Sequence, residues 1–289
     1  MYKHTILITG ASSGIGFEIA KTMSDRGHIV VATAPDDEAL KTVPENVAHK
    51  LVIDVCNQSS ISNALSTLRT RGIGITCLIN NAGFAQPGPI ELVDDALWRR
   101  QFDVNVFGTL AVTRACLPVL REQASKGLDV RIITMSSMLG LISLPFQGVY
   151  SASKHALEAA FEALRMELTG SGIHVSLIEP GWISTPFLQT AFRQVPNHWF
   201  SNKIYGESFS KYITSSQKAA SDNPKGAEKI ALMLSGTPAQ VAQATVCAVE
   251  ALKPKARYPV TGMATWMPRL ASLLPTKLWD AMHMSQFSK

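Results

Sequence analysis

The sequence predicts an α/β domain built on a doubly wound parallel sheet, and three observations carry that expectation. Short apolar runs rich in β-branched residues alternate with helical patterns through residues 1–200. These runs are apolar along their whole length, which suits strands covered on both faces rather than strands with one wet side. A glycine-rich stretch, Thr9-Gly10-Ala11-Ser12-Ser13-Gly14-Ile15-Gly16, follows the first run and opens the first helical pattern. That junction is where a dinucleotide-binding turn sits in such folds.

Taken in order, the first strand is expected at 5–9 and the first helix at 16–26. Strands follow at 28–33, 48–55, 76–80, 130–136 and 174–179, with helices near 59–71, 95–123 and 151–169 between them. A last strand, 257–260, lies beyond an excursion from Pro186 to about Gly236. The excursion is therefore an insertion within one domain spanning 1–289. Its sequence is polar yet carries Phe187, Leu188, Phe192, Trp199, Phe200, Tyr205 and Phe209. Either it is a lid that closes over an apolar ligand, or it is a small helical subdomain that packs its own aromatics. The C-terminal extension, 263–289, spaces Trp266, Met267, Leu270, Leu273, Leu274, Leu278, Trp279 and Met282 as an amphipathic edge. Such an edge docks on its own sheet, on a second subunit or on a membrane surface, the first being commonest.

Composition narrows the class. Hydrophobic residues make up 46% and charged residues 17%, so most of the chain is expected to pack. The net charge is +5, but Lys and Arg are scattered with no run of five or more, so the charge is weak evidence for a nucleic-acid or membrane partner and reads as an ordinary mildly basic surface. Cys56, Cys77, Cys116 and Cys247 are far apart and lack a nearby His, so neither a metal site nor a disulfide framework is expected. Cys56 and Cys77 read as small buried hydrophobes in or beside strands. The first strand begins within a few residues of Met1, and no apolar run of membrane-spanning length is expected. A cytoplasmic protein without a leader or transmembrane segment is the resulting expectation.

Tyr150 and Lys154 stand one helical turn apart in Tyr150-Ser151-Ala152-Ser153-Lys154, with Ser137 upstream. A helix there stacks phenol and ammonium on one face, where the cation favours phenolate. In the glycine stretch, Gly10 permits a tight turn, Gly14 lets backbone approach a pyrophosphate, and Gly16 lets the helix pack close to the strand. The helix N-terminus adds unpaired amides for phosphate.

The order of these motifs resembles the short-chain dehydrogenase/reductase family in its compact single-domain, Rossmann-type branch. The resemblance rests on Thr9-Gly10-x-x-x-Gly14-x-Gly16, Asn80-Asn81-Ala82-Gly83, Asn105, Ser137, Tyr150-x-x-x-Lys154 and Pro180-Gly181-x-Ile183-x-Thr185. It implies an NAD(P)-dependent oxidoreductase that interconverts a hydrophobic alcohol and its ketone or aldehyde. Ser12, Ser13, Ile15 and the glycines would hold phosphates; Asp54 and Val55 would lie against adenine; Asn81, Ala82 and Gly83 would meet the adenosine side. Pro180, Gly181, Ile183 and Thr185 would meet the nicotinamide side. Tyr150 would be the acid/base, Ser137 would donate to the substrate oxygen, and Asn105 would hold a water linking Lys154 to solvent. The resemblance also implies a homo-oligomer.

The choice between NAD and NADP departs from the family pattern. Ala34 and Pro35 stand where an acid or an Arg would decide it, and Ser13 replaces a basic residue that some relatives carry. Asp36 and Asp37 follow, and two carboxylates repel a 2′-phosphate, so the reading leans to NAD. Lys41 would reverse that balance by folding back. The segment joining Ser137 to Tyr150 is nearly all apolar and resembles those of hydroxysteroid and retinol dehydrogenases, so Leu139, Leu144 and Phe187 are expected to line a hydrophobic substrate site. Reduction of an acyl-carrier-linked ketone, or dinucleotide sensing without catalysis, are the competing readings.

Overall fold

The computed structural model describes residues 2–193, 195–219 and 235–284. Seven parallel strands form one sheet in the order β3-β2-β1-β4-β5-β6-β7. They are β1 (Thr5–Ile8), β2 (Ile29–Ala34), β3 (His49–Val52), β4 (Cys77–Asn80), β5 (Val130–Met135), β6 (Ile173–Pro180) and β7 (Arg257–Val260). The order reverses between β1 and β4, and that switch point opens a crevice at the carboxyl ends of the strands.

Helices cover both faces. On one side α1 (Gly14–Asp25) and α9 (Pro238–Glu250) bury Ile19, Met23, Val246 and Val249 against Ile6, Ile8, Val30 and Ile79. On the other, α3 (Gln58–Thr70), α5 (Thr109–Ser125) and α6 (Gly148–Glu167) bury Ile61, Leu68, Val112, Leu120, Leu157 and Phe161 against Leu7, Val31, Leu78 and Ile132. Odd and even strand positions therefore both meet apolar partners, which is why the runs carry no polar alternation. Side-chain caps set several helix starts: Asn57 accepts from the amides of Ser59 and Ser60, and Thr237 forms a reciprocal capping box with Gln240.

Several expectations need correction. The strand expected at 48–55 ends at Val52, because Asp54 Oδ1 accepts from the Cys56 amide at 2.9 Å and turns the chain. Cys56 is exposed as a result, while Cys77 and Cys116 are buried. A short helix, α2 (Asp37–Leu40), was not anticipated; Asp36 caps it through the Ala39 amide at 2.8 Å. The helix expected at 95–123 is interrupted: α4 (Asp95–Phe102) runs into a π turn, Asp103–Gly108, before α5. The combined stretch Asp95–Ser125 does have the length and mean hydropathy, 1.2, of a membrane-crossing helix. Its inner residues Val112, Cys116 and Leu120 are packed on the sheet, as a core helix requires.

The inserted region contains α7 (Pro186–Arg193), a 3₁₀ turn (Asn197–Trp199) and α8 (Gly206–Ala219). Phe192, Trp199, Phe209 and Tyr212 are buried together with Val93 and Val149. Most of its aromatics thus build a small subdomain, although Phe187 and Phe200 stay exposed. A parallel bridge between Ile183 and Gly236 closes its base. Residue 194 and residues 220–234 of the expected lid lie outside the described residues, as do 285–289 of the extension. The extension forms α10 (Gly262–Leu273) and α11 (Thr276–Met284).

Candidate active site

A cleft of about 540 Å³ opens at the carboxyl ends of the strands, beside the switch point. Its first wall is backbone. After β1 the chain turns through Gly10, whose φ of +65° suits glycine, and a Cβ there would lie 2.9 Å from Ala82 Cα. A Cβ on Gly16 would collide with the Gly10 carbonyl oxygen and the Asn81 side chain. The two turns are tied together: Thr9 Oγ1 accepts from the amides of Asn81 and Ala82, each at 3.0 Å, and Asn81 Nδ2 donates to the carbonyls of Thr9 and Gly10. The opening amides of α1 have no intrahelical acceptor and face this turn region from the helix start. The geometry suits a pyrophosphate, because Gly10 and Gly16 bring the backbone turns together, Gly14 leaves open space beside the helix start and the donors come from backbone.

The second wall carries the polar side chains. Ser137 stands two residues beyond β5 and caps a 3₁₀ turn, Met138–Gly140, accepting from the Leu139 amide at 3.1 Å. That bond uses an oxygen lone pair and leaves the hydroxyl proton available, and Ser137 is hydrogen-bonded to Tyr150. Tyr150 stands in the first turn of α6, and Lys154 follows one turn later with Nζ 5.7 Å from the Tyr150 ring centroid. Lys154 Nζ donates to the Met135 carbonyl at 2.7 Å. Burial pushes the Tyr150 phenol up to about 12, against the pull of the Ser137 hydrogen bond. Burial also brings the Lys154 ammonium down to about 8, while Glu158 raises it. Desolvation outweighs the pull of Ser137, so in this structure the phenol is the favoured form of Tyr150 at neutral pH.

Most of the residues singled out from sequence line this cleft: Gly10, Ser12, Ser13, Gly14, Ile15, Gly16, Asp54, Val55, Asn81, Ala82, Gly83, Ser137, Leu139, Tyr150, Lys154, Pro180, Gly181, Ile183, Thr185 and Phe187. Phe187 meets Tyr150 edge-on, with ring centroids 5.9 Å apart.

The profile of the family described as short chain dehydrogenase matches residues 4–196, a stretch that holds both walls. The chain belongs to the short-chain dehydrogenase family. It is an NAD(P)-dependent oxidoreductase of the kind that acts on CH–OH or carbonyl groups. Among relatives of this dehydrogenase, the NADPH-dependent 3-dehydrocapnine reductase of Ornithobacterium rhinotracheale is 32% identical, over 98% of this chain and 97% of its own. The 3-ketodihydrosphingosine reductase of Bacteroides thetaiotaomicron is 37% identical, over 72% of this chain and 74% of its own. A short chain dehydrogenase from Burkholderia cenocepacia, solved in complex with NADP, superposes with a TM-score of 0.72 at 25% identity and covers 98% of each chain.

Two of the residues expected in this dehydrogenase's site, Asn105 and Leu144, are not on the cleft surface. Asn105 is fully buried in the π turn, where Oδ1 accepts from the Phe84 amide at 3.0 Å and Nδ2 donates to the Phe84 carbonyl and to Ser153 Oγ. Its side chain clamps the strand-end loop directly behind Gly83 of the cleft lining and beside Ser153, the neighbour of Lys154. The π turn supplies the extra residue that aims it inward. Leu144 does not line the cleft; it packs in the cluster of Met138, Leu139, Ile142 and Ala264. The basis of the NAD lean also changes. Asp36 is held as the α2 cap, Lys41 pairs with Glu38, and the cleft is lined by Pro35 rather than by either aspartate.

Sequence reasoning missed Phe84, Arg100, Gln147 and Trp182, all on the cleft wall. Arg100 sits 5.3 Å from the Phe84 ring, brought there by the Asn105 clamp and by Gln101, whose side chain bonds Gln86 and Phe84 backbone. Gln147, next to the start of α6, is hydrogen-bonded to Tyr212 of the inserted subdomain. Nothing in the local pattern around Gln147 or Trp182 announces these contacts.

Proposed function

We propose that the chain is an NADPH-dependent reductase of an apolar, long-chain ketone, in which Tyr150 gives its proton to the substrate oxygen. The observation that carries this reading is Tyr150, protonated and hydrogen-bonded to Ser137, in a cleft whose other side is made of Met138, Leu139, Trp182, Phe187 and Ala191. Reduction needs an acid at the carbonyl, and a buried phenol beside a buried cation is one.

The glycine cradle, the α1 N-terminus and the adenine-side pair Asp54 and Val55 fit a nicotinamide dinucleotide, with Gly181, Ile183 and Thr185 toward the reactive ring. When bound, that cofactor supplies the hydride. The chain's own residues do the rest. Ser137 Oγ is set to donate to the substrate oxygen and hold it against Tyr150. Tyr150 transfers its proton as charge develops on that oxygen. Lys154, fixed by the Met135 carbonyl, stabilises the phenolate that remains, and with a pKa of about 8 it exchanges protons near neutrality. Apolar side chains keep water from the reacting carbonyl.

NADPH is supported by the absence of an acid at Ala34, by the diversion of Asp36 into a helix cap, and by the names of the relative and the solved neighbour that use NADPH or NADP. A ketone is supported by two relatives named for reduction at carbon 3. The same reading includes a cytosolic homo-oligomer, supported by free cysteines and by Phe107, 58% exposed on the π turn.

The test is oxidation of NADPH and of NADH with 3-ketones of increasing chain length. The expected result is a preference for NADPH and a kcat/KM that rises roughly three- to fourfold per methylene until the apolar wall is covered. Equal turnover of sugars or polyols, or a preference for NADH, would overturn the corresponding half of the reading.

A further inference from the structure

Helix α10 is apolar on two sides. Its inner side, Met263, Ala264, Met267 and Ala271, packs with Met138, Leu139, Tyr150 and Trp182, the cleft wall. Its outer side carries Trp266, Leu270 and Leu273 at helical spacing, and Trp266 and Leu273 are 67% and 80% exposed. Helix α11 repeats the arrangement: Trp279 packs inward, whereas Leu278 is 55% exposed. A helix pair buried on one side is ordinarily polar on the other, so this outer face calls for an apolar partner.

Charge points to which partner. Residues 251–289 contain six Lys or Arg and one acid, Asp280, whereas the other 250 residues carry 21 of each sign. The net charge of +5 therefore belongs to the C-terminal segment. Lys253 and Lys255 precede β7 and Arg257 is taken up by Glu158 and Glu179; on the two helices themselves Arg269 and Lys277 stand with Asp280, and Arg269 lies 5.4 Å over the outward Trp266. Exposed Trp and Leu interleaved with more cations than acids is the composition of a helix that lies in the headgroup region of an anionic bilayer.

We propose that α10 and α11 form a docking face for an anionic membrane surface, placed against the cleft wall so that a membrane-dissolved ketone enters from the lipid side. The lipid-side entry rests on the apolar-substrate reading above; the docking itself does not.

The experiment uses the full chain and two vesicle types, wholly phosphatidylcholine and phosphatidylcholine with phosphatidylglycerol. Co-sedimentation is expected with the anionic vesicles, falling as salt is raised. The double variant Trp266→Gln/Leu273→Gln should bind those vesicles at least roughly tenfold more weakly, from the apolar contact each side chain makes. Its turnover of a short, water-soluble ketone and its melting temperature should match the parent's, since both side chains are outside the packed cluster. Binding without turnover of any ketone would support the docking face and sink the substrate reading. Turnover with no vesicle binding, or binding indifferent to the double variant, would overturn the docking face. A parent dimer that the double variant converts to monomer, with no vesicle binding, would reassign the face to a second copy and equally overturn it.

Discussion

The two walls of the cleft are built by different means. The cofactor-side wall is backbone: turns at Gly10–Gly16 and Asn81–Gly83 approach so closely that added methyl groups overlap, and Thr9 and Asn81 lock them. The other wall is side chain: Leu139, Trp182 and Phe187, with Leu139 and Trp182 packed on Met263 and Met267 of the extension, and with Gln147 of the cleft bonded to Tyr212 of the inserted subdomain. Backbone walls tolerate almost no variation and give one ligand geometry. Side-chain walls can be rebuilt at constant fold, which is how one scaffold serves different substrates. Tyr150 belongs to neither wall alone, because Ser137 and Lys154 hold it from the sheet side while Phe187 meets it from the insertion.

The comparison can be broken most forcefully at that junction. Tyr150→Phe should lower kcat by about a thousandfold, within the range of general-acid losses, while leaving the NADPH dissociation constant unchanged. Near-parental turnover in stopped-flow assays would remove the acid/base role.

Trp199→Ala tests the side-chain wall from a distance. The ring is fully buried, fits against Gly88 and packs on Phe209. Truncation should cost about 3–5 kcal/mol in denaturant unfolding and raise KM for the ketone without changing NADPH affinity. A matching loss of NADPH affinity would show that the walls are not separable.

Gly10→Ala tests the backbone wall. The left-handed φ and the approach to Ala82 should weaken NADPH binding by roughly tenfold or more, from about 1–2 kcal/mol of backbone strain before overlap is counted. Fluorescence titration would read it, and unaltered affinity would mean that the turn relaxes.

The smallest effect is in pH. Lys154 is depressed to about 8 by burial, so the cation is present below that value and lost above it. Reductive kcat/KM should be flat up to about pH 8 and then fall, approaching tenfold per unit. The break should move to lower pH in Glu158→Gln, which removes the charge that raises Lys154. A profile flat to pH 10 would exclude the ammonium from the proton path.

Legibility followed the same division. The glycine turn, the strand-end asparagine and the Tyr150–Lys154 spacing lie within one turn or one helical repeat, where local geometry dictates the residue. Asn105 was visible as a position but not as a clamp on Phe84, because the π turn that aims it arises from packing between α4, α5 and the strand-end loop. Asp36 looked like a barrier to a 2′-phosphate because its role as the cap of a four-residue helix has no pattern long enough to see. Leu144 shares its apolar character with Leu139 and packs in the same cluster with the extension, and only the fold of that segment also brings Leu139 to the cleft surface.

By itself the sequence determined the parallel sheet, the glycine turn and the one-turn spacing of Tyr150 and Lys154, because each is encoded by short-range periodicity or by residues that satisfy a local backbone demand. Tertiary structure alone decided the protonation of Tyr150, the partners of Asn105 and Asp36, and the two-sided character of α10. Those depend on desolvation and on contacts between segments far apart in the chain, such as Tyr150 with Phe187 and Leu139 with Met263, and no local pattern carries them.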